Sequence, residues 1–190
     1  MANIFGVGVS GLQICVLKTE STAKGTECTY GPKLEVTATN SIQFSPTTTT
    51  SSADGDNKQV ASITLAVAGT LTWTGWGVPD ATYATVFGHT AGTDSEYDES
   101  FADVAPYVGV GYIRKFMNQD GDVTYKAYWY RKCQGVPGDE EQNTQGTNLE
   151  LSSTEVEFNV SEPGYNPYRT TKSFSTEDAA TAWLAAFAGT

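Results

Sequence analysis

Between residues 34 and 74 apolar side chains twice recur on every second position, a pattern that no helix can turn to one side. In 34–44, Val36, Ala38, Ile42 and Phe44 fall on one face, with Asn40 the one polar residue among them. Glu35, Thr37, Thr39, Ser41 and Gln43 fall on the other. In 59–74, Ile63, Leu65, Val67, Leu71 and Trp73 alternate with Ser62, Thr64, Ala66, Ala68, Thr70, Thr72 and Thr74. Period 2 marks a half-buried strand, so the two stretches predict a long hairpin with one wet face. Gly69 is placed for a bend or bulge. Between them, residues 45–58 are polar and of low complexity, from Ser45-Pro46 through Thr47, Thr48, Thr49, Thr50, Ser51 and Ser52 to Asp54-Gly55-Asp56-Asn57. That is long for a hairpin connection of ~2–5 residues, and such a loop orders only against a partner.

The same reading continues along the chain. Residues 107–117 carry Val108, Val110, Tyr112 and Phe116 on one face, and 123–133 are rich in aromatics. Asn118-Gln119-Asp120-Gly121-Asp122 between them predicts a hairpin turn, because Asp-Gly tolerates positive φ. Residues 149–160 form a last strand, with Val156, Phe158 and Val160 inward; the opposite parity of Leu149 and Leu151 predicts a bulge near Ser152-Ser153. Two helices are expected, one over 80–89 and one from a cap at Ser175 or Thr176, with Ala180, Trp183, Leu184 and Phe187 as its apolar stripe. Glycines interrupt residues 1–33, which read as an N-terminal arm with a short strand at 12–17. Residues 34–160 read as the core, and 161–190 as a connector plus the C-terminal helix. The fold class is mainly β.

The composition agrees. The 190 residues include 27 threonines, and charged residues make up only 17%, against roughly 25% in most soluble proteins. At about 150 residues per domain, a chain of this length suits one domain with arms, or two very small ones. Eleven basic and 22 acidic residues give a net charge of -11, which argues against a protein that grips nucleic acid by its phosphates through Lys and Arg clusters. Cys15, Cys28 and Cys133 are odd in number and lack CxxC spacing, so a reducing compartment is expected rather than a disulfide framework or zinc site. The N-terminus has no basic segment ahead of its apolar residues, which argues against a secretion signal. No stretch approaches the ~20 apolar residues of a membrane span.

Nothing in the sequence carries catalysis. His89 is the only histidine and reads as a residue at a helix end, with no nucleophile elbow beside it. Asp54-Gly55-Asp56-Asn57 and the 118–122 turn lack the ligand spacing of a calcium loop. Asp139-Glu140-Glu141, Glu150, Glu155 and Glu157 could in principle supply a glycosidase carboxylate pair, but charge runs are more often solvated faces. Gly6-Val7-Gly8 and Gly109-Val110-Gly111 lack the rest of any nucleotide fingerprint. No cofactor and no metal are expected.

Charge is unevenly spread. Residues 80–113 hold six acids and no Lys or Arg, and 133–168 hold seven. The hairpin over 107–133 is locally basic through Arg114, Lys115, Lys126, Arg131 and Lys132. Set against acids such as Asp139, Glu140 and Glu141, these patches suit contact between copies of the chain; the other reading is ordinary charge clustering on a soluble protein.

Taken in order, Val60-to-Gly77 leads into Pro79–His89, then Tyr107-Val108-Gly109-Val110-Gly111-Tyr112. Tyr125-Lys126-Ala127-Tyr128-Trp129-Tyr130-Arg131-Lys132-Cys133 and Pro137-Gly138-Asp139-Glu140-Glu141 with Thr144 follow. Over about residues 34–160 this order resembles the major tail protein, or tail-tube protein, of long-tailed bacteriophages. The resemblance implies a β-sandwich or barrel with a flanking short helix, a long hairpin loop and a C-terminal helix. By that resemblance six copies close into a ring, and rings stack as a hollow tube through which the genome passes. It also implies a virion location after synthesis in the host cytoplasm, a tape-measure protein in the lumen, and tail-end and terminator proteins as partners. DNA is then passing cargo that is not specifically bound, and no membrane is involved.

On that reading Glu35, Thr37, Thr39, Ser41, Gln43, Ser62 and Thr64 face the lumen, where a negative wall keeps DNA from sticking. The loop 45–58 orders against the next ring, and the arm over 1–20 covers a neighbour or a sheet edge. The chain is not an enzyme on this account. The alternatives are a carbohydrate-binding β-sandwich of adhesin or lectin type, and another virion structural protein such as a decoration or baseplate component.

Overall fold

The computed structural model describes residues 3–36, 38–55, 58–94, 96–138 and 153–189. Antiparallel ladders build one large sheet with the order β2-β1-β7-β8-β9-β4-β3. Its strands are β1 (Ile4–Thr19), β2 (Thr29–Lys33), β3 (Thr39–Gly55), β4 (Lys58–Gly75), β7 (Tyr107–Asn118), β8 (Val123–Val136), β9 (Thr154–Ser161) and β10 (Arg169–Phe174). A two-residue pair, β5 (Thr90–Ala91) with β6 (Tyr97–Asp98), stands apart. The helices are α1 (Asp80–Phe87) and α2 (Glu177–Ala185). No helix among the described residues is long and apolar enough to cross a membrane.

Strand β8 is the branch point. One edge pairs with β7 along its length; the other pairs with β10 over Tyr125–Tyr130 and with β9 over Lys132–Val136. The sheet bends there, and its two halves close over one core in a sandwich-like fold. Leu12, Ile14, Val108, Val110 and Tyr112 come from one half, and Leu71, Trp73, Val156, Phe158 and Val160 from the other. Val86 and Phe87 of α1 plug one end.

Alternation along β7 and β8 sends the remaining residues to the opposite face. There Cys15, Tyr30, Ile113, Ala127 and Trp129 meet Ala180 and Leu184 of α2. Thr176 caps α2 by accepting from the Ala179 amide, and Phe187 stacks on Trp129 with ring centroids 4.7 Å apart. Gly109 and Gly111 make room for this indole: a Cβ on either would lie 2.5 Å from its ring atoms.

The N-terminal segment is not an arm. Residues 4–19 form a full strand between β2 and β7, and Leu12, Ile14 and Cys15 are buried. Its glycines did not break the strand; they sit at irregularities, with Gly11 at a φ of 64° beside a register shift. The connector over 161–174 likewise contains strand β10. Residues 34–36 and 38 lie outside any strand, and the first alternating stretch begins its ladder at Thr39.

The region expected to be a polar loop is also strand. Ser45, Pro46, Thr47, Thr48, Thr49, Thr50, Ser51 and Ser52 continue β3 as far as Gly55 and pair with β4. β9 covers β4 only from Gly69 to Gly75. Beyond that point the β3–β4 hairpin is a two-stranded ribbon about 30 Å long at ~3.3 Å per residue. Thr and Ser supply the β-branching and cross-strand hydroxyl pairing that favour a strand, as in the 2.9 Å contact between Thr50 Oγ1 and Thr64 Oγ1. The absence of apolar residues had concealed it. Asp56, Asn57, Asp139, Glu140, Glu141, Leu149 and Leu151 lie outside the described residues, as does the expected bulge near 152.

Candidate functional site

Two features stand out against this frame: the hairpin ribbon and a cationic cleft at the open end of the sandwich. In the ribbon the register shifts between Thr47 and Thr48, whose partners are Ala68 and Ala66. Val67 is therefore an extra residue on β4, and the bulge exchanges the faces of that strand. Below it Leu71 and Trp73 point to the core with Ile42 and Phe44. Above it Ile63 and Leu65 share a face with Ser51 and Thr49, which is the solvent face of β3. Ile63, Leu65 and Val67 are 61%, 59% and 62% exposed, so the sequence was misleading in joining them to Leu71 and Trp73. Gly69, close to the bulge, gives space to the Phe44 ring, which a Cβ would meet at 2.5 Å.

The expected lumen face divides accordingly. Ser41 and Gln43 are exposed on the outer face of β3, with Thr39 half-buried at its start. Ser62 and Thr64 are exposed on the other side of the ribbon, because the Val67 bulge reverses them. Glu35 is exposed but precedes β3, and Thr37 lies outside the described residues. These residues do not form one continuous wall on a single subunit.

The cleft has a volume of about 880 Å³ and opens between β1, β3, β7, β8 and β10. Its floor is aromatic: Tyr112 and Tyr128 stack at 5.0 Å, and Tyr130 lies beside them. Arg169 projects from β10 over this floor, 5.5 to 5.6 Å from the ring centroids of Phe44, Tyr128, Tyr130 and Tyr168. It donates from Nη1 to the Tyr130 hydroxyl at 3.2 Å. Arg114 and Lys126 add two more cations, and no acidic side chain lines the cleft. Burial pushes the Tyr112 and Tyr130 hydroxyls above their ordinary range, so neither supplies a counter-charge near neutral pH. Aromatic faces hold a cation without neutralising it. The cleft therefore gathers three cations with no lining carboxylate to balance them.

The basic patch read from the sequence therefore splits. Arg131 is buried, donating to the Pro167 carbonyl at 3.1 Å and to the Thr170 hydroxyl at 2.5 Å, and reaching Glu27 at 3.4 Å. Lys132 pairs with Glu20 at 2.6 Å and lies over the Tyr107 ring. Both tie the fold together and are not available to a partner. Lys115, half-buried and paired with Tyr125, alternates to the other face of β7 and does not line the cleft; Arg114 and Lys126 remain, and Arg169, which sequence reasoning missed, joins them. Only the pairing of β10 with β8 brings it there, and 161–174 gave no period to predict that strand.

His89 does lie at the end of α1, after the left-handed Gly88. Its ring donates from Nδ1 to Asp103 Oδ2 at 2.8 Å, fastening the loop before β7 to the helix. Among the described residues no group of His, Cys, Asp and Glu could hold a metal ion. The sequence matches no protein-family model and no curated protein.

Proposed function

We propose that the chain is a structural subunit that assembles with copies of itself, in the manner of the major tail proteins of long-tailed phages. Its copies would form stacked rings, hexameric by resemblance to that family, around a conduit for the genome. The observation that carries this reading is the hairpin ribbon. An isolated two-stranded ribbon is marginal in water, and this one also presents Ile63, Leu65 and Val67 to solvent. Such a ribbon becomes stable when another surface covers it. The net charge of -11 supports a wall that lets DNA slide past instead of binding it. The order of elements supports the family. The function asked of the chain is geometric, and no step of it is catalytic.

The test is negative-stain electron microscopy and sedimentation across a concentration series. Rings with a central hole, or tubes, are expected. A variant in which residues 49–65 are replaced by a two-residue turn, closed by the Thr48–Ala66 pair, should keep the sandwich and lose assembly. A chain that stays monomeric at every concentration, with or without tail-initiation components, would overturn the reading.

A further inference from the structure

We infer that the cationic aromatic cleft receives the acidic segment 94–101 of a second copy of the chain, an inference that rests on the self-assembly reading above. The segment presents Asp94, Glu96, Asp98 and Glu99, all exposed, around the small β5–β6 pair. Phe101, at its end, is fully exposed at 113%. An aromatic ring held entirely in water beside several carboxylates is the complement of a cleft with an aromatic floor and three cations. An 880 Å³ cleft is of the size that encloses a ligand of a few side chains.

The geometry excludes the chain's own segment. Segment 94–101 leads into β7 at Tyr107, whereas β7 reaches the cleft with Tyr112 and Arg114. Five to seven residues of strand, about 16–23 Å, separate Tyr107 from these side chains, and bonds from His89 to Asp103 and from Gln134 to the Ala105 carbonyl hold the continuation of the segment at the Tyr107 end, so segment and cleft lie apart on one subunit. A contact between them is head-to-tail, and such heterologous contacts repeat from copy to copy into closed rings or open stacks. Nucleic acid is the poorer occupant, because a phosphate backbone is held by an extended run of Lys and Arg, whereas this cleft gathers three cations at one place.

A charge exchange tests this. Variant one carries Arg114→Glu and Lys126→Glu; variant two carries Asp98→Lys and Glu99→Lys. Each alone faces like against like and should associate at least tenfold more weakly than the parent. Mixed in equal amounts they should assemble, since each then offers the other an opposite charge. Parent-like assembly of variant one, or two folded variants whose mixture stays monomeric, would overturn the inference and leave self-assembly standing.

If the parent itself stays monomeric, self-assembly fails and the cleft is tested separately. A synthetic peptide of residues 92–103 is titrated into the monomer by calorimetry. Binding that weakens at least tenfold in variant one sustains the cleft as the receptor for this segment; no binding overturns it. A short oligodeoxynucleotide that displaces the peptide at equal concentration would assign the cleft to nucleic acid and overturn it as well.

Discussion

Arg114 on β7 and Lys126 on β8 stand directly opposite each other across the ladder, on the face that opens into the cleft. Like charges in that relationship cost the free subunit about 0.5 kcal/mol. The repulsion has no use within one chain and would be relieved by an arriving acidic partner. Lys126→Glu should therefore make the monomer more stable, raising its melting temperature by about 1–2 °C, while weakening association. Calorimetry on the monomer and sedimentation on the same sample read both effects. A variant that loses stability would show that Lys126 is held by contacts within the subunit.

Much of this fold could be read from residue periodicity, and the failures share a cause. β7, β8, the 118–122 turn, the inward face of β9 and both helices follow from patterns that packing enforces. Gly121 has a φ of 90°, as an Asp-Gly hairpin requires. β1 showed itself only as a short strand at 12–17, and the outer half of β3 and β10 not at all, because their ordering comes from neighbours distant in sequence. β1 is interrupted by glycines whose role depends on register with β7. Thr47–Ser52 have no apolar side, and β10 is short and polar. The single residue Val67, inserted in β4, turned a correct strand assignment into a wrong assignment of faces. For the site, Arg114 and Lys126 were visible as charge, but their union with Arg169 depends on strand pairing that no local pattern records.

Packing around Trp129 predicts a sharp cost at the glycines beneath it. A methyl at Gly111 would lie 2.5 Å from the Trp129 ring and 2.8 Å from Leu184, and neither can retreat from a buried interface. Gly111→Ala should destabilise the subunit by about 1–3 kcal/mol, with loosening of α2 read as faster amide exchange in 177–185. Trp129→Ala should cost more, about 3–5 kcal/mol. A neutral Gly111→Ala would mean that α2 does not pack on the sheet as described.

The three cysteines are free and buried, and burial pushes the thiols of Cys15 and Cys133 above their ordinary range. A thiol that is neither exposed nor ionised does not react. An aromatic disulfide reagent at pH 8 should find no reactive thiol in the native subunit within minutes, and three after denaturation. Rapid labelling of even one in the native state would place that strand at an exposed edge.

Two carboxylates fasten loops to the sandwich. Hydrogen bonding by His89, aided by the Ser100 amide, holds Asp103 below the ordinary carboxylate range. Bonds from the Lys132 ammonium and the Gly164 amide do the same for Glu20. A folded pKa depressed in this way adds stability that is complete above the unfolded value of about 4 and is lost as pH falls through the folded value. Melting temperature should thus fall below about pH 4. The double variant Asp103→Asn, Glu20→Gln should melt lower than the parent at pH 7 and lose less on acidification. Equal acid slopes for both proteins would remove these two groups as the cause.

The ribbon separates folding from assembly. Ile63 and Leu65 stand on the outer face of the β3–β4 hairpin, away from both cores, and more than half of each is in water. Threonine at both positions is β-branched and favours a strand, so the change removes only exposed apolar surface. The melting temperature of the monomer should hardly move, since surface changes of this kind stay within ~0.5 kcal/mol. Association should weaken by at least tenfold, because the covered ribbon would lose its apolar contact in every copy. If the double variant assembles as the parent does, the apolar face is not what the neighbouring copy covers, and the ribbon's Thr and Ser face, with Thr50 and Thr64, becomes the surface through which it docks.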